Sequence, residues 1–280
     1  MSALRTGRAA GSNGGKGTGP PTGHLVSGPG PTTGLAAPAR QRILAQARFE
    51  VGTLLRNGEQ LLVSIILPAL VLVGLSATTS PSLGPGNRID VAVPGVLALA
   101  IISSAFTSQA IATGFDRRYD VLRYLGVTPL GKAGLVAAKV LATLAVLTIQ
   151  VAVLSSLGLA LGWHPDATGV PPAVLFIVLG TWAFVALALL IGGTLRAEAV
   201  LALANLLWVL FLAVGGVVVP RSQLPDAVAG FVGLLPSAAL GDGLRSALVD
   251  GTLNLPALLV ILAWAGATTL LAARLFRFDD

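Results

Sequence analysis

Long apolar runs separated by short polar connections fill the chain from about residue 60 onward. Runs of about 20 residues with almost no charge have the length that a helix needs to cross a hydrocarbon core about 30 Å thick. The apolar-polar alternation typical of outer-membrane barrel strands is missing from these runs. The pattern therefore predicts an all-α integral membrane protein with six transmembrane helices. The predicted spans are residues 61–78, 91–113, 137–161, 171–195, 199–219 and 255–276.

Two segments of different character precede the first predicted span. Residues 1–39 are mostly Gly, Pro, Ser and Thr with scattered Arg, a composition that predicts a disordered tail without a signal peptide. Residues 40–280 form the predicted transmembrane domain. Within residues 40–57 the apolar side chains fall on one helical stripe, which predicts an amphipathic helix lying on the membrane. A slanted extension of the first span is the alternative.

Composition supports a membrane protein, since 54% of the 280 residues are hydrophobic and 11% are charged, against roughly 25% charged residues in soluble domains. The formal charge of +6 does not indicate a nucleic-acid partner, because the basic residues lie in short connections between apolar runs. Cysteine is absent, which excludes disulfides and thiolate chemistry in this chain.

The distribution of Arg and Lys predicts how the chain is oriented in the membrane. With six spans, fifteen of the eighteen basic residues lie on the face that carries both termini, and three (Arg88, Arg221 and Arg245) lie on the other. The positive-inside rule then places both termini in the cytoplasm of a bacterial cell, with the spans in its plasma membrane.

Residues that could carry catalysis are scarce. The predicted span centres contain no Asp, Glu, Lys, Arg or His, so the relay expected of a proton-coupled transporter is missing. Lys139, near the end of the third span, is expected to extend its side chain to the interface. No phosphate-binding loop is complete, because neither Lys16 nor Lys132 is followed by Ser or Thr. We therefore expect no enzyme activity, no metal site and no cofactor in this chain.

Small polar side chains form one face of the second predicted span, at Ser104, Thr107 and Ser108. Small residues let helices approach closely, so helix packing explains this face. Alternatively, together with Asn205 and Trp208 of the fifth span, it borders a substrate path between two subunits. The sequence leaves both interpretations open.

The connection between the second and third spans combines basic residues with a helix break. Its Arg-rich first part is expected to form a short helix, and Thr128 followed by Pro129 suits the N-cap and first turn of the next helix. The residues that define this segment are Asp116, Arg117, Arg118, Asp120, Leu122, Arg123, Leu125, Thr128 and Pro129.

These features together resemble the permease subunits of type-2 ABC exporters, the family of bacterial drug, lipid and polysaccharide export permeases. A second match lies in the outer segment before the last span, where Leu224 precedes Pro225, Leu235 precedes Pro236 and Leu244 precedes Arg245. The resemblance implies that this outer segment is re-entrant. It also implies that the segment from Asp116 to Pro129 contains a cytosolic coupling helix that docks on an ATPase.

The resemblance further implies a permease that dimerises with itself or a paralogue and exports an amphipathic substrate. A cognate ATPase subunit would supply the energy and hold the ATP and Mg²⁺. An ion-coupled secondary transporter and a membrane scaffold without transport are the alternatives. Drug, lipid and glycan substrates all remain open, because Leu, Val and Ala side chains discriminate weakly between apolar ligands.

Overall fold

The computed structural model describes residues 37–84, 86–126 and 128–275, and this part of the chain contains helices and no strand. The predicted tail at residues 1–39 falls almost wholly outside the described residues. The helices are α1 Ala39–Arg56, α2 Gly58–Ala77, α3 Arg88–Arg118, α4 Val121–Gly126, α5 Gly131–Ala160, α6 Val170–Gly192, α7 Ala197–Ala213, α8 Asp226–Val232, α9 Pro236–Asp250 and α10 Leu255–Leu275.

Apolar helices of membrane-spanning length confirm the all-helical membrane fold. Over the described residues, four helices are long and apolar enough to cross a membrane: α3, α5, α6 with the turn before it, and α10. Helices α8 and α9 meet at 95° and count as a fifth span only if they form one broken span. Because α2 and α7 are shorter apolar helices, the count of six spans stays a prediction.

Helix α3 forms the centre of the bundle, and 83% of its most apolar stretch is buried. Residues Ile102–Ser108 adopt a π-helical conformation, in which the Ser108 hydroxyl donates to the Ser103 carbonyl at 3.1 Å. Such wide turns interrupt α-helices mostly at functional sites. Next to this turn, the Phe106 ring contacts the rings of Phe184 and Phe211, with centroids 6.3 and 5.9 Å away. These rings fix α6 and α7 against α3.

The bent pair α8–α9 follows an irregular segment at the end of α7. Helix α7 ends at Ala213, earlier than the predicted 219, and Gly216 has a φ of +70° that suits glycine. Pro225 immediately precedes α8, and Pro236 is the first residue of α9. Proline is favoured at the first turn because its missing N–H would be unpaired there anyway. The Leu-Pro pairs therefore set where both short helices begin.

Arg245 of α9 secures the irregular segment. Its side chain is buried, and its guanidinium donates to the carbonyl oxygens of Gly216 at 2.9 Å and of Val217, with the Asp242 carboxylate 3.6 Å away. Non-helical backbone at membrane depth is tolerated only where its polar groups have partners inside the protein. Arg245 supplies those partners.

Replacement of Gly95 by Ala is expected to destabilise this region. A Cβ at Gly95 would lie 2.6 Å from the Val217 carbonyl oxygen and 3.0 Å from the Arg245 guanidinium. Overpacking of this kind costs about 1–3 kcal/mol, so the purified variant should unfold at a lower temperature. Gly74→Ala is the control, since no atom lies within 4 Å of its added Cβ. Equal unfolding temperatures for the two variants would contradict the close approach.

Candidate functional site: the α4 end of the bundle and a polar track

The last turn of α3 is fixed to the connection between α6 and α7. Arg117 is buried and donates from Nη1 to the Leu195 carbonyl at 3.3 Å. Arg118 pairs with Glu198 of α7 on the surface. The Arg-rich part of the predicted connection is thus a continuation of α3 and not a separate short helix. The end of the bundle where these residues lie is called the α4 end below.

Helix α4 begins after a sharp break in the chain. Asp120 adopts a φ of +60°, a left-handed conformation that ends α3 and redirects the backbone into Val121–Gly126. A short helix does follow the break, and it begins at Val121, five residues after Asp116, where the predicted segment starts. Leu122 is completely buried in this chain, whereas Tyr124 is 75% exposed. The side chain of Leu125 lies outside the described residues.

Thr128 and Pro129 lie in the turn before α5 and are exposed. Helix α5 begins at Gly131, with Leu130 as its N-cap, so the predicted Thr-Pro cap is displaced by two residues. Arg123, like Asp120, lies on the exposed surface of the same segment. The α4 end therefore presents a compact helix flanked by two breaks, with its apolar anchor turned inward.

A buried ionic cluster joins three helices just inside the α4 end. The Lys139 ammonium of α5 lies 3.2 Å from the Glu50 carboxylate of α1 and 3.7 Å from the Asp116 carboxylate of α3. Lys139 is 1% exposed, so the expected extension of its side chain to the interface is wrong. A buried ammonium needs such partners, because removing a charge from water is costly unless it is paired.

A track of polar side chains continues from this cluster into the bundle. The Gln150 side chain of α5 donates to Ser64 of α2 at 2.8 Å and accepts from Ser104 of α3 at 2.9 Å. Gln109 donates to Thr143 at 3.2 Å. These groups line a small inner cavity of about 30 Å³. An outer cleft of about 280 Å³ between α1 and α3 shares Ser108 and Gln109 with that cavity and reaches the ionic cluster.

The structure separates the residues predicted to border a substrate path. Ser104 and Ser108 line the inner cavity, whereas Trp208 donates from its indole N–H to the Ser103 hydroxyl at 2.8 Å. Asn205 is exposed and donates to the Leu201 carbonyl of its own helix. The Thr107 hydroxyl is buried with no hydrogen-bond partner among the described residues.

Sequence reasoning missed the ionic cluster and the polar partners of Ser104. Glu50 is 89 residues from Lys139, and Gln150 is 46 residues from Ser104, so no local pattern joins them. One signal was present, since Glu50 lies beside the apolar stripe of α1, where a carboxylate facing a neighbouring helix needs a cation.

The fold and the site together define a polytopic helical permease domain with a short helix presented between its second and third apolar helices. Residues 41–249 match the family model of the ABC-2 type transporter. The chain belongs to this family and is a type-2 ABC permease subunit. A search of curated proteins found no match.

Lys139→Met is expected to destabilise the protein, because it leaves the Glu50 and Asp116 carboxylates without their shared cation. Breaking a buried pair costs about 3–5 kcal/mol, and the partial exposure of the two acids reduces that to about 2–3 kcal/mol. Thermal unfolding of the purified chain measures the loss. Lys132→Met is the control, since Lys132 lies on the surface side of α5 and donates to the Ala273 carbonyl. The cluster would lose its structural role if both variants unfolded alike.

Proposed function

We propose that this chain is the membrane-spanning subunit of an exporter driven by a separate ATPase subunit, which binds ATP and Mg²⁺. Membership of the ABC-2 family supports this proposal. The observation that carries it is α4, a short helix anchored by the buried Leu122 and presenting Tyr124 outward. A rigid exposed helix suits docking, because little conformational entropy is lost when it binds.

Motion of α4 has a direct route into the bundle. Helix α4 follows α3 after the single break at Asp120, and α3 runs through the centre of the fold. Arg117 and the Lys139 cluster attach the same end of α3 to the α6–α7 connection, to α1 and to α5. Closure of two ATPase subunits would therefore move several helices together. In this proposal the segment from Asp116 to Pro129 carries the coupling.

The assembly and orientation follow from the same proposal. Two permease copies, or this chain and a paralogue, pair with two ATPase subunits in the bacterial plasma membrane. The α4 end faces the cytoplasm, in agreement with the excess of Arg and Lys in the connections at that end. The broken pair α8–α9 then lies toward the outer face.

Ion-coupled transport is a second candidate, favoured by one observation. Lys139, Glu50 and Asp116 place titratable groups inside the protein next to the polar track, and such groups mark ion pathways in transporters. Export that stops when the proton gradient is dissipated at constant ATP would support this candidate. Export that continues under those conditions would support the ATP-driven mechanism.

The division of labour predicts that the purified chain hydrolyses no ATP, whereas its complex with the ATPase does. Release of inorganic phosphate measures both. Lys16→Ala should leave the activity of the complex unchanged, since Gly17 stands directly after Lys16, where a phosphate-binding loop has the Ser or Thr that holds Mg²⁺. Hydrolysis by the chain alone that disappears in Lys16→Ala would refute the proposal.

Tyr124→Ser is expected to weaken binding of the ATPase about 30-fold, as truncation of an aromatic anchor at an interface costs about 2 kcal/mol. Titration of the ATPase onto the permease in lipid nanodiscs measures the affinity. Phe231→Ser is the matched control, because Phe231 is 69% exposed on α8 at the other end of the chain's bundle. Leu122→Ser is unsuitable, since Leu122 is buried within the chain. Unchanged affinity in Tyr124→Ser would remove α4 from the interface.

A further inference from the structure

The outer cleft between α1 and α3, called the α1–α3 cleft below, carries an excess of negative charge. Its charged lining residues are Glu50, Asp116 and Lys139, which leaves one net negative charge when all three are ionised. The side chain of Lys139 is 1% exposed, whereas those of Glu50 and Asp116 are 14% and 34% exposed. The two acidic side chains that line the cleft are therefore more exposed than the basic one. A cleft with net negative charge is unusual on a chain with a formal charge of +6.

An unpartnered acceptor provides a second, independent indication of a ligand. Gln109 lines both the α1–α3 cleft and the inner cavity and is only 2% exposed. Its amide nitrogen donates to Thr143, but its Oε1 has no hydrogen-bond partner among the described residues. A buried acceptor without a partner costs about 1–3 kcal/mol. A ligand N–H would remove that cost.

Apolar side chains complete the wall of the cleft. Phe49 lines it with a 69% exposed ring, and Leu54, Ala112 and Val121 line it from α1, α3 and α4. An aromatic face next to carboxylates favours organic cations, because the ring quadrupole attracts positive charge while the ring also contacts apolar carbon. The lining thus has one part for a cation and one for an apolar body.

We propose that the α1–α3 cleft binds an amphipathic cation that carries N–H donors, such as an alkylammonium group on an apolar body. This inference rests on the proposed function and names the class of substrate that the exporter would accept. The ethanolamine headgroup of a phospholipid and a free organic amine share the required chemistry.

Binding of rhodamine 123 to the full chain tests the proposal. This dye is cationic and carries N–H donors, and fluorescein provides the same ring system as an anion. Fluorescence anisotropy is measured in nanodiscs of phosphatidylcholine, whose quaternary ammonium has no N–H. We expect rhodamine 123 to bind more tightly than fluorescein. Glu50→Gln and Gln109→Met should each weaken rhodamine binding about tenfold, through loss of a charge or of a hydrogen-bond acceptor.

Glu198→Gln is the control, because Glu198 is a carboxylate at the same end of the bundle that does not line the cleft. Gln109→Met disturbs no ion pair, so it remains informative if Glu50→Gln does not fold. Equal rhodamine affinity in the parent and Gln109→Met, or fluorescein binding as tight as rhodamine binding, would overturn the proposal.

Adding phosphatidylethanolamine to the nanodiscs distinguishes the two sources of the cation. If phosphatidylethanolamine displaces rhodamine 123, the site exists and its occupant is a lipid headgroup. If rhodamine 123 stays bound, the site exists and its occupant is a free amine. The measurement needs no ATPase, so the site and the exporter function are tested separately. Binding without stimulation of ATP hydrolysis in the complex would count against the exporter function alone.

Discussion

Polar groups inside this bundle must find partners within the protein, because the surrounding apolar environment offers none. Arg245 meets this requirement for the backbone that follows α7, by donating to the carbonyl oxygens of Gly216 and Val217. That guanidinium supplies donors to the backbone where the chain leaves the helix at Ala213 and turns toward the bent pair α8–α9. Asp242 in turn partners Arg245. The part of the fold that contains α8 and α9 is thus held by one cation and its acceptors.

The same requirement operates at the opposite end of the bundle, with a different result. There the partners of Lys139 come from α1 and α3, so one buried ammonium holds three helices in register. The polar track that begins at this cluster is satisfied through Ser104, Gln150 and Ser64, but not at Gln109 Oε1. The Thr107 hydroxyl is likewise buried without a partner among the described residues, but Gln109 is the one of the two that lines both the α1–α3 cleft and the inner cavity.

Hydropathy predicted the helices because the length of an apolar run is a local property of the chain. The six predicted spans correspond to the helices α2, α3, α5, α6, α7 and α10, and α8 and α9 begin next to the Leu-Pro pairs that carried the resemblance to a re-entrant segment. The end of α7 was placed too late. A hydropathy pattern treats Gly215 and Gly216 as a continuation of the apolar run, whereas the backbone conformation of this segment ends the helix. The burial of Lys139 was misjudged, and that of Leu122 was not predicted, because burial depends on contacts between distant segments, which periodicity does not reveal.

The burial of Leu122 changes how a coupling helix can work in the proposed function. If both faces of α4 were exposed, docking could reposition it without disturbing α3. Leu122 is buried in the core, and a single break at Asp120 separates α4 from α3. A displacement of α4 must therefore either remove Leu122 from the core or move α3 as well. Exposing a fully buried leucine costs about 1.5–3 kcal/mol. Moving α3 keeps that burial, and side chains of α3, like those of α1 and α5, line both the α1–α3 cleft and the inner cavity. The ATPase-facing surface and the polar track would therefore be coupled through α3.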